Sequence, residues 1–237
     1  ALLALVRQFE REDKGEPPEI DTAPPRWDTV GPVDADRSDA RDQLLAALGE
    51  LRWNELSVQQ RVELLRIYEL TFIRLGPPDE STRQRLIGRF DRNCPTGVWE
   101  VDSALAQLLV YLQAPTAADK IVALLEQAPT QEEQIDYAKT LRHLRAGWTR
   151  ELREIYFKWF LKAAAYRGGA SFSLFVQNIK EDAVKHLSDS ERQELEPILA
   201  ATPEATSANT AANPRPFVKE WKLEELLPLL QDHLAER

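Results

Sequence analysis

Residues 149–184 read TRELREIYFKWFLKAAAYRGGASFSLFVQNIKEDAV, and their apolar positions return every three or four residues. Leu152, Ile155, Tyr156, Trp159, Phe160 and Ala163 fall on one side of a 3.6-residue period, which is the stripe of an amphipathic helix. Phe172, Phe175, Val176, Ile179 and Ala183 repeat the pattern in a second segment. Between them stand Gly168 and Gly169, the residue type that ends a helix and permits a tight turn. Two helices of opposite direction, each apolar on one flank, are expected here.

Working outward, the same period governs the rest of the central region. Val101, Leu105, Leu108, Leu109 and Leu112 form another stripe. The segment with Val62, Leu64, Leu65, Ile67 and Leu70 is apolar on more than one face, which predicts a helix held between neighbours. Starts are marked by side chains that accept hydrogen bonds from first-turn amides: Thr130 with Glu133 and Ser188 with Glu191 have capping-box spacing, and Ser57 with Gln60 resembles it. The tetrad Gln113, Ala114, Pro115, Thr116 recurs as Gln127, Ala128, Pro129, Thr130, so one short helix is bracketed by two identical turns. Helices of about 10 to 18 residues joined by short turns must stack to hide their apolar faces. The expected fold is all-α, a HEAT-like α-solenoid of stacked helical hairpins, with a globular bundle as the alternative.

Proline and small polar residues divide the chain. Residues 1–37 read as the end of a helix followed by an acidic connector carrying Pro17, Pro18, Pro24, Pro25 and Pro32, with Trp27 as an anchor. Residues 38–200 form the repeat domain. Residues 201–216 are a Thr, Ser, Ala and Asn-rich linker. Residues 217–237 form a last helix with a stripe of Leu223, Leu226, Leu227, Leu230 and Leu234, kinked at Pro228 and leading toward a further domain.

Of 237 residues, 43% are hydrophobic and 29% charged, ordinary globular usage that argues against disorder. Thirty Lys and Arg against 39 Asp and Glu leave a net charge of -9, a field that repels phosphate backbones, so nucleic acid is not an expected partner. No stretch reaches the roughly 18 apolar residues of a membrane span, and no membrane insertion is expected. A single cysteine, Cys94, excludes an internal disulfide, a thiolate zinc cluster and covalent haem attachment within the segment. A chain that opens on Ala1 and contains no Met is expected to be part of something longer.

Candidate chemistry is sparse. His143, His186 and His233 lie on three separate helices without metal-ligand spacing. Glu132, Glu133 and Asp136 occupy first turns, where acids meet the positive end of the helix dipole. Cys94 precedes Pro95 with no base nearby to hold a thiolate. No catalytic, metal or cofactor residue is therefore assigned, and the segment is not expected to be an enzyme. One run stands out: Arg142, Arg145, Arg150, Arg153, Lys158, Lys162 and Arg167 interleave with Trp148, Tyr156, Trp159 and Tyr166. On one reading Tyr156 and Trp159 are core, Lys158 and Lys162 line the wet face, and Glu154 pairs with Lys158. On the other, Trp148, Arg150, Arg167, Gly168, Gly169 and Ser171 form an edge that docks an acidic partner or a sugar ring.

Several runs resemble the helical repeat region of large multidomain c-type cytochrome proteins of planctomycetes and their relatives. They are ELSVQQRVELLRIYELTFIRLG at 55–76, QLLVYLQAP at 107–115, APTQEEQIDYAKTLRHLRAGWT at 128–149, YFKWF at 156–160, YRGGASF at 166–172, NIKEDAV at 178–184 and PRPFVKEW at 214–221. In that family the region follows a sugar-dehydrogenase-like or other substrate domain and leads into a cytochrome domain whose CxxCH motif carries haem c. The resemblance implies a spacer and docking scaffold in an extracytoplasmic redox protein. Its partners would be adjoining domains or another protein, with haem c in a neighbouring domain and no cofactor in this segment.

Overall fold

The computed structural model describes residues 35–201. The proline-rich connector with Trp27, most of the linker, the leucine stripe at 223–234 and His233 lie outside the described residues. Within them are nine α-helices, one short 3-10 helix at Trp53–Glu55 and no strand, so the chain is all-helical as its periodicity predicts. The helices are α1 (Ala35–Gly49), α2 (Val58–Leu75), α3 (Glu80–Asn93), α4 (Trp99–Tyr111) and α5 (Ala117–Gln127). They continue with α6 (Gln131–Leu141), α7 (Arg150–Ala163), α8 (Phe172–Val184) and α9 (Asp189–Leu199).

Neighbours in sequence pack on one another: α1 on α2, α3 on α4, α4 on α5, α5 on α6, and α7 on α8. Across the hairpins, α2 packs on α4, α4 on α6 and α6 on α8, while α5 packs on α7 and α7 on α9. Even-numbered helices thus succeed one another in one row, and α5, α7 and α9 succeed one another in a second.

The starts are built as the capping residues foretell. Ser57 Oγ accepts the Gln60 amide at 3.3 Å while Gln60 Oε1 accepts the Ser57 amide at 2.9 Å. Ser188 and Glu191 exchange the same pair of bonds, at 3.3 and 2.8 Å. Thr130 Oγ1 accepts the Glu133 amide at 3.4 Å. The ends are closed by cations from neighbouring elements, a device invisible to local pattern. Arg89 of α3 donates to the carbonyls of Leu48 and Gly49 at the end of α1 and of Leu51 just beyond it, at 3.1, 2.8 and 2.6 Å. Arg83 reaches Leu112 O at the end of α4 at 2.8 Å, and Lys120 reaches Asp91 O in the last turn of α3 and Cys94 O just after it at 2.5 and 2.8 Å. Unpaired terminal carbonyls carry the negative end of the dipole, so each contact satisfies an acceptor and a charge together.

The sandwiched helix is α4 more than α2. Besides the expected Val101, Leu105, Leu108 and Leu109, α4 buries Ala106 and Val110, together with the polar Asp102 and Ser103. Val62, Ile67 and Leu70 of α2 are only half-buried, because α2 has α1 and α4 beside it whereas α4 meets α2, α3, α5 and α6. Asp102 is buried at 2% exposure, and its carboxylate accepts the Thr96 amide at 2.6 Å and the Gly97 amide at 2.9 Å, which folds the loop before α4 back onto the helix.

Both tetrads turn the chain and bracket α5, but the turns are not identical: Gln113 adopts a positive φ of 52° and Thr116 makes no side-chain cap bond, whereas Thr130 is extended and caps α6. The first also serves the next hairpin: Gln113 Nε2 donates to His143 O at 3.0 Å, and Gln113 Oε1 accepts the Arg145 amide at 2.8 Å. Gly147 then passes so close that a Cβ there would lie 1.9 Å from Pro115 O, at a φ of +74° that favours glycine. Gly147→Ala is expected to cost about 2 kcal/mol or more, since both the backbone conformation and the approach to Pro115 must change. A urea unfolding midpoint equal to that of the parent protein would contradict this.

Candidate functional site

The two halves of the edge read from the sequence lie at opposite ends of α7, whose 14 residues span about 21 Å. At the first end, the Trp148 ring is half-buried and its Nε1 donates to Leu144 O at 2.9 Å. The guanidinium of Arg153 lies 5.2 Å from that ring, and Arg153 Nε pairs with Glu191 of α9 at 2.9 Å. Trp148 therefore belongs to a contact that fastens α7 to α9. Arg150 is exposed and paired with Glu154 at 3.1 Å, a surface contact of small energy.

At the far end the Arg167 side chain is exposed, but its backbone is held: its amide donates to Gln131 Oε1 at 3.1 Å and its carbonyl accepts from Gln131 Nε2 at 2.7 Å. Gly168 and Gly169 are exposed, and a Cβ on Gly168 would lie 2.2 Å from the Phe172 side chain. Ser171 is the N-cap of α8 without a side-chain cap bond. Trp159 is buried and donates to Gln134 Oε1 at 3.1 Å, an acceptor it shares with the Tyr166 hydroxyl. Lys158 pairs with Glu154 at 3.2 Å on the wet face, as expected. Trp53, Trp99 and Trp148 are half-buried, so no tryptophan among the described residues is exposed.

Groups with latent chemistry are mostly engaged. The Cys94 thiol is pushed up to about 12 by burial and then by the Asp102 charge, so it stays protonated at neutral pH. Asp136 does more than meet a helix dipole, since it accepts a short hydrogen bond from Ser103 Oγ and so joins α6 to α4. Among the described residues no three His, Cys, Asp or Glu side chains are grouped to hold a metal ion, and no helix is long and apolar enough to cross a membrane.

A site the linear reading missed lies on the even-numbered row. A cleft of about 470 Å³ opens over α2, α4 and the end of α6. Its floor is apolar: Phe72 stacks on Tyr111 with centroids 5.0 Å apart and planes 12° from parallel, and Ile73 and Leu108 lie beside them. Ile73 is 63% exposed, an unusual position for a large aliphatic side chain. Charged residues form the rim. Arg66 and Glu69 neutralise each other at 2.7 Å and Lys139 lies 4.0 Å from Asp136, which leaves Arg145, also exposed, as the rim cation outside these pairs. Arg145 belongs to the basic run visible in the sequence. Its neighbours Ile73 and Tyr111 come from other hairpins, and only the packing of the row brings them together.

His143 completes the cleft wall and is coupled to α8. Arg142 Nε donates to His143 Nε2 at 3.0 Å, and Arg142 Nη1 lies 3.5 Å from Asp182 Oδ2. Burial, then the adjacent Arg142 charge, lowers the imidazole from its ordinary 6.5 to about 4. His186, lowered in the same direction by burial and by Arg145, lies within electrostatic reach.

Compared with known proteins, the chain matches no family model, no curated relative and no solved structure at a significant level.

Because the folded protein holds His143 neutral, the unfolded chain takes up its proton first. The contribution of His143 is complete above pH 6.5 and is lost as pH falls from there toward about 4. Thermal midpoints measured from pH 7 to pH 4.5 should therefore fall less steeply for His143→Gln than for the parent protein. Parallel slopes would rule out this role.

Proposed function

We propose that the chain is a HEAT-like α-solenoid that serves as a non-catalytic docking scaffold within a larger, extracytoplasmic c-type cytochrome-containing protein. The observation that supports this most is the row of α2, α4, α6 and α8, which leaves a cleft with an apolar floor and a positive rim. Stacked hairpins of this kind behave as a one-dimensional array, each unit contacting its neighbours and presenting one extended face to a partner. Docking also accounts for Ile73 beside a solvent-facing cleft, since among the described residues it is more exposed than Leu51, Val58, Leu174 or Phe175. The redox setting, the extracytoplasmic location and the neighbouring haem domain are supported by the sequence runs at 55–76, 128–149 and 214–221, which resemble the cytochrome-associated repeats.

Hydrogen exchange followed by mass spectrometry tests the repeat arrangement, because an array opens from its ends. Protection should be greatest in α4 and α6 and decline stepwise through α8 and α9. One cooperative opening shared by all nine helices of the described residues would contradict the arrangement. Saturable turnover of a sugar or redox dye by the purified chain would contradict the docking role.

A further inference from the structure

We propose that the cleft over α2, α4 and α6 receives an acidic amphipathic helix of a partner protein. On this assignment, an apolar side chain of that helix enters against Phe72, Ile73 and Tyr111, while its carboxylates meet Lys139 and Arg145. The proposal rests on the docking reading above and names the chemistry of what docks.

Three features select this occupant. The cleft is walled mainly by helices whose backbone amides and carbonyls are spent on their own turns, and in the turn beside them Gln113 occupies the His143 carbonyl and the Arg145 amide, so an extended strand would find no edge to pair with and recognition must run through side chains. That is the condition for a helix laid in a groove. Neighbouring helices in a row stand about 8 to 10 Å apart, so three of them offer a track of roughly 20 Å, matched by about 14 residues of partner helix.

Charge then chooses the partner's sign. The chain carries a net charge of -9, yet after Arg66 has paired with Glu69 the cleft rim keeps Arg145, together with Lys139, whose contact with Asp136 is long at 4.0 Å. A local positive patch on an acidic protein attracts carboxylates while the surrounding field limits non-specific anion binding, which favours an acidic partner over a basic one. The apolar floor supplies the anchor contact that an isolated pair of cations would lack: the stacked Phe72 and Tyr111 rings form a rigid base, and Ile73 stands at its margin.

The experiment uses the full chain and two fluorescein-labelled peptides of about 14 residues, with leucines at helical i, i+3, i+4 and i+7 positions. Glu fills the remaining positions in one peptide and Lys in its twin. In fluorescence anisotropy the acidic peptide should bind saturably and at least about tenfold more tightly than the twin. Ile73→Glu and Arg145→Glu change exposed side chains, and each should weaken binding by about tenfold or more. Arg150→Glu, at the start of α7 and outside the cleft, should leave binding unchanged, and Lys139→Ala provides a milder second test of the rim. Equal affinity for the twins, indifference to the Ile73 and Arg145 substitutions, or the absence of saturable peptide binding would overturn the assignment. Binding of dodecanoate without peptide binding would also overturn it, and would give the cleft to a small amphiphile instead. The hydrogen-exchange gradient reports on the scaffold separately, so failure of the partner's chemistry is distinguishable from failure of the repeat arrangement.

Discussion

The burial of α4 is the constraint on which the other contacts depend. Leu105 and Leu109 are fully enclosed, Leu108 is nearly so, and α4 meets α2, α3, α5 and α6. Burying each of these leucines is worth roughly 1.5 to 3 kcal/mol, and only a narrow strip of the helix, through Glu100, Ala104, Gln107 and Tyr111, reaches toward solvent. Once α4 is surrounded in this way, α2 and α6 must lie on either side of it, and the row of even-numbered helices follows. The Phe72–Tyr111 stack and the Ser103–Asp136 hydrogen bond are the local seals on those two sides.

Polar side chains then fix the angle and register that apolar packing leaves loose. Gln113 and Gln131 perform the same task one hairpin apart, each using its amide to hold backbone groups of a later turn. Arg83, Arg89 and Lys120 close helix ends that belong to other elements. A buried acceptor left open costs about as much as a lost hydrogen bond, so each contact both satisfies a carbonyl and places one helix relative to another. Gly147 against Pro115 adds a steric lock at the junction of the first tetrad with the start of the α7 hairpin.

Much of this was legible in the order of residues, and the reason is the range of the forces involved. The stripes of α7 and α8, the capping boxes at Ser57 and Ser188 and the tetrads around α5 are local and appear near where their spacing puts them, except that Phe175 of the α8 stripe is exposed and the buried Phe157 widens that of α7. The basic and aromatic run from Arg142 to Arg167 was also visible, but a linear reading cannot tell that α7 holds Trp148 and Arg167 apart. Nor does it show that Arg153 lies over Trp148 to meet Glu191. The cleft was hidden for the same reason. Ile73, Tyr111 and Arg145 are separated by 38 and 34 positions in the sequence and become neighbours only because three helices pack side by side.

Among the described residues, most large apolar side chains are covered by neighbouring helices, and the cleft over α2, α4 and α6 leaves Ile73 open to solvent. That account stands on α4 lying between α2 and α6. Two-dimensional NOE spectroscopy of the protein labelled at its aromatic and methyl groups tests this most directly. The account predicts cross-peaks between the Phe72 and Tyr111 rings, together with others joining α4 to α6 in the same molecule. Spectra in which α4 shows contacts to α2 or to α6 but not to both would contradict it.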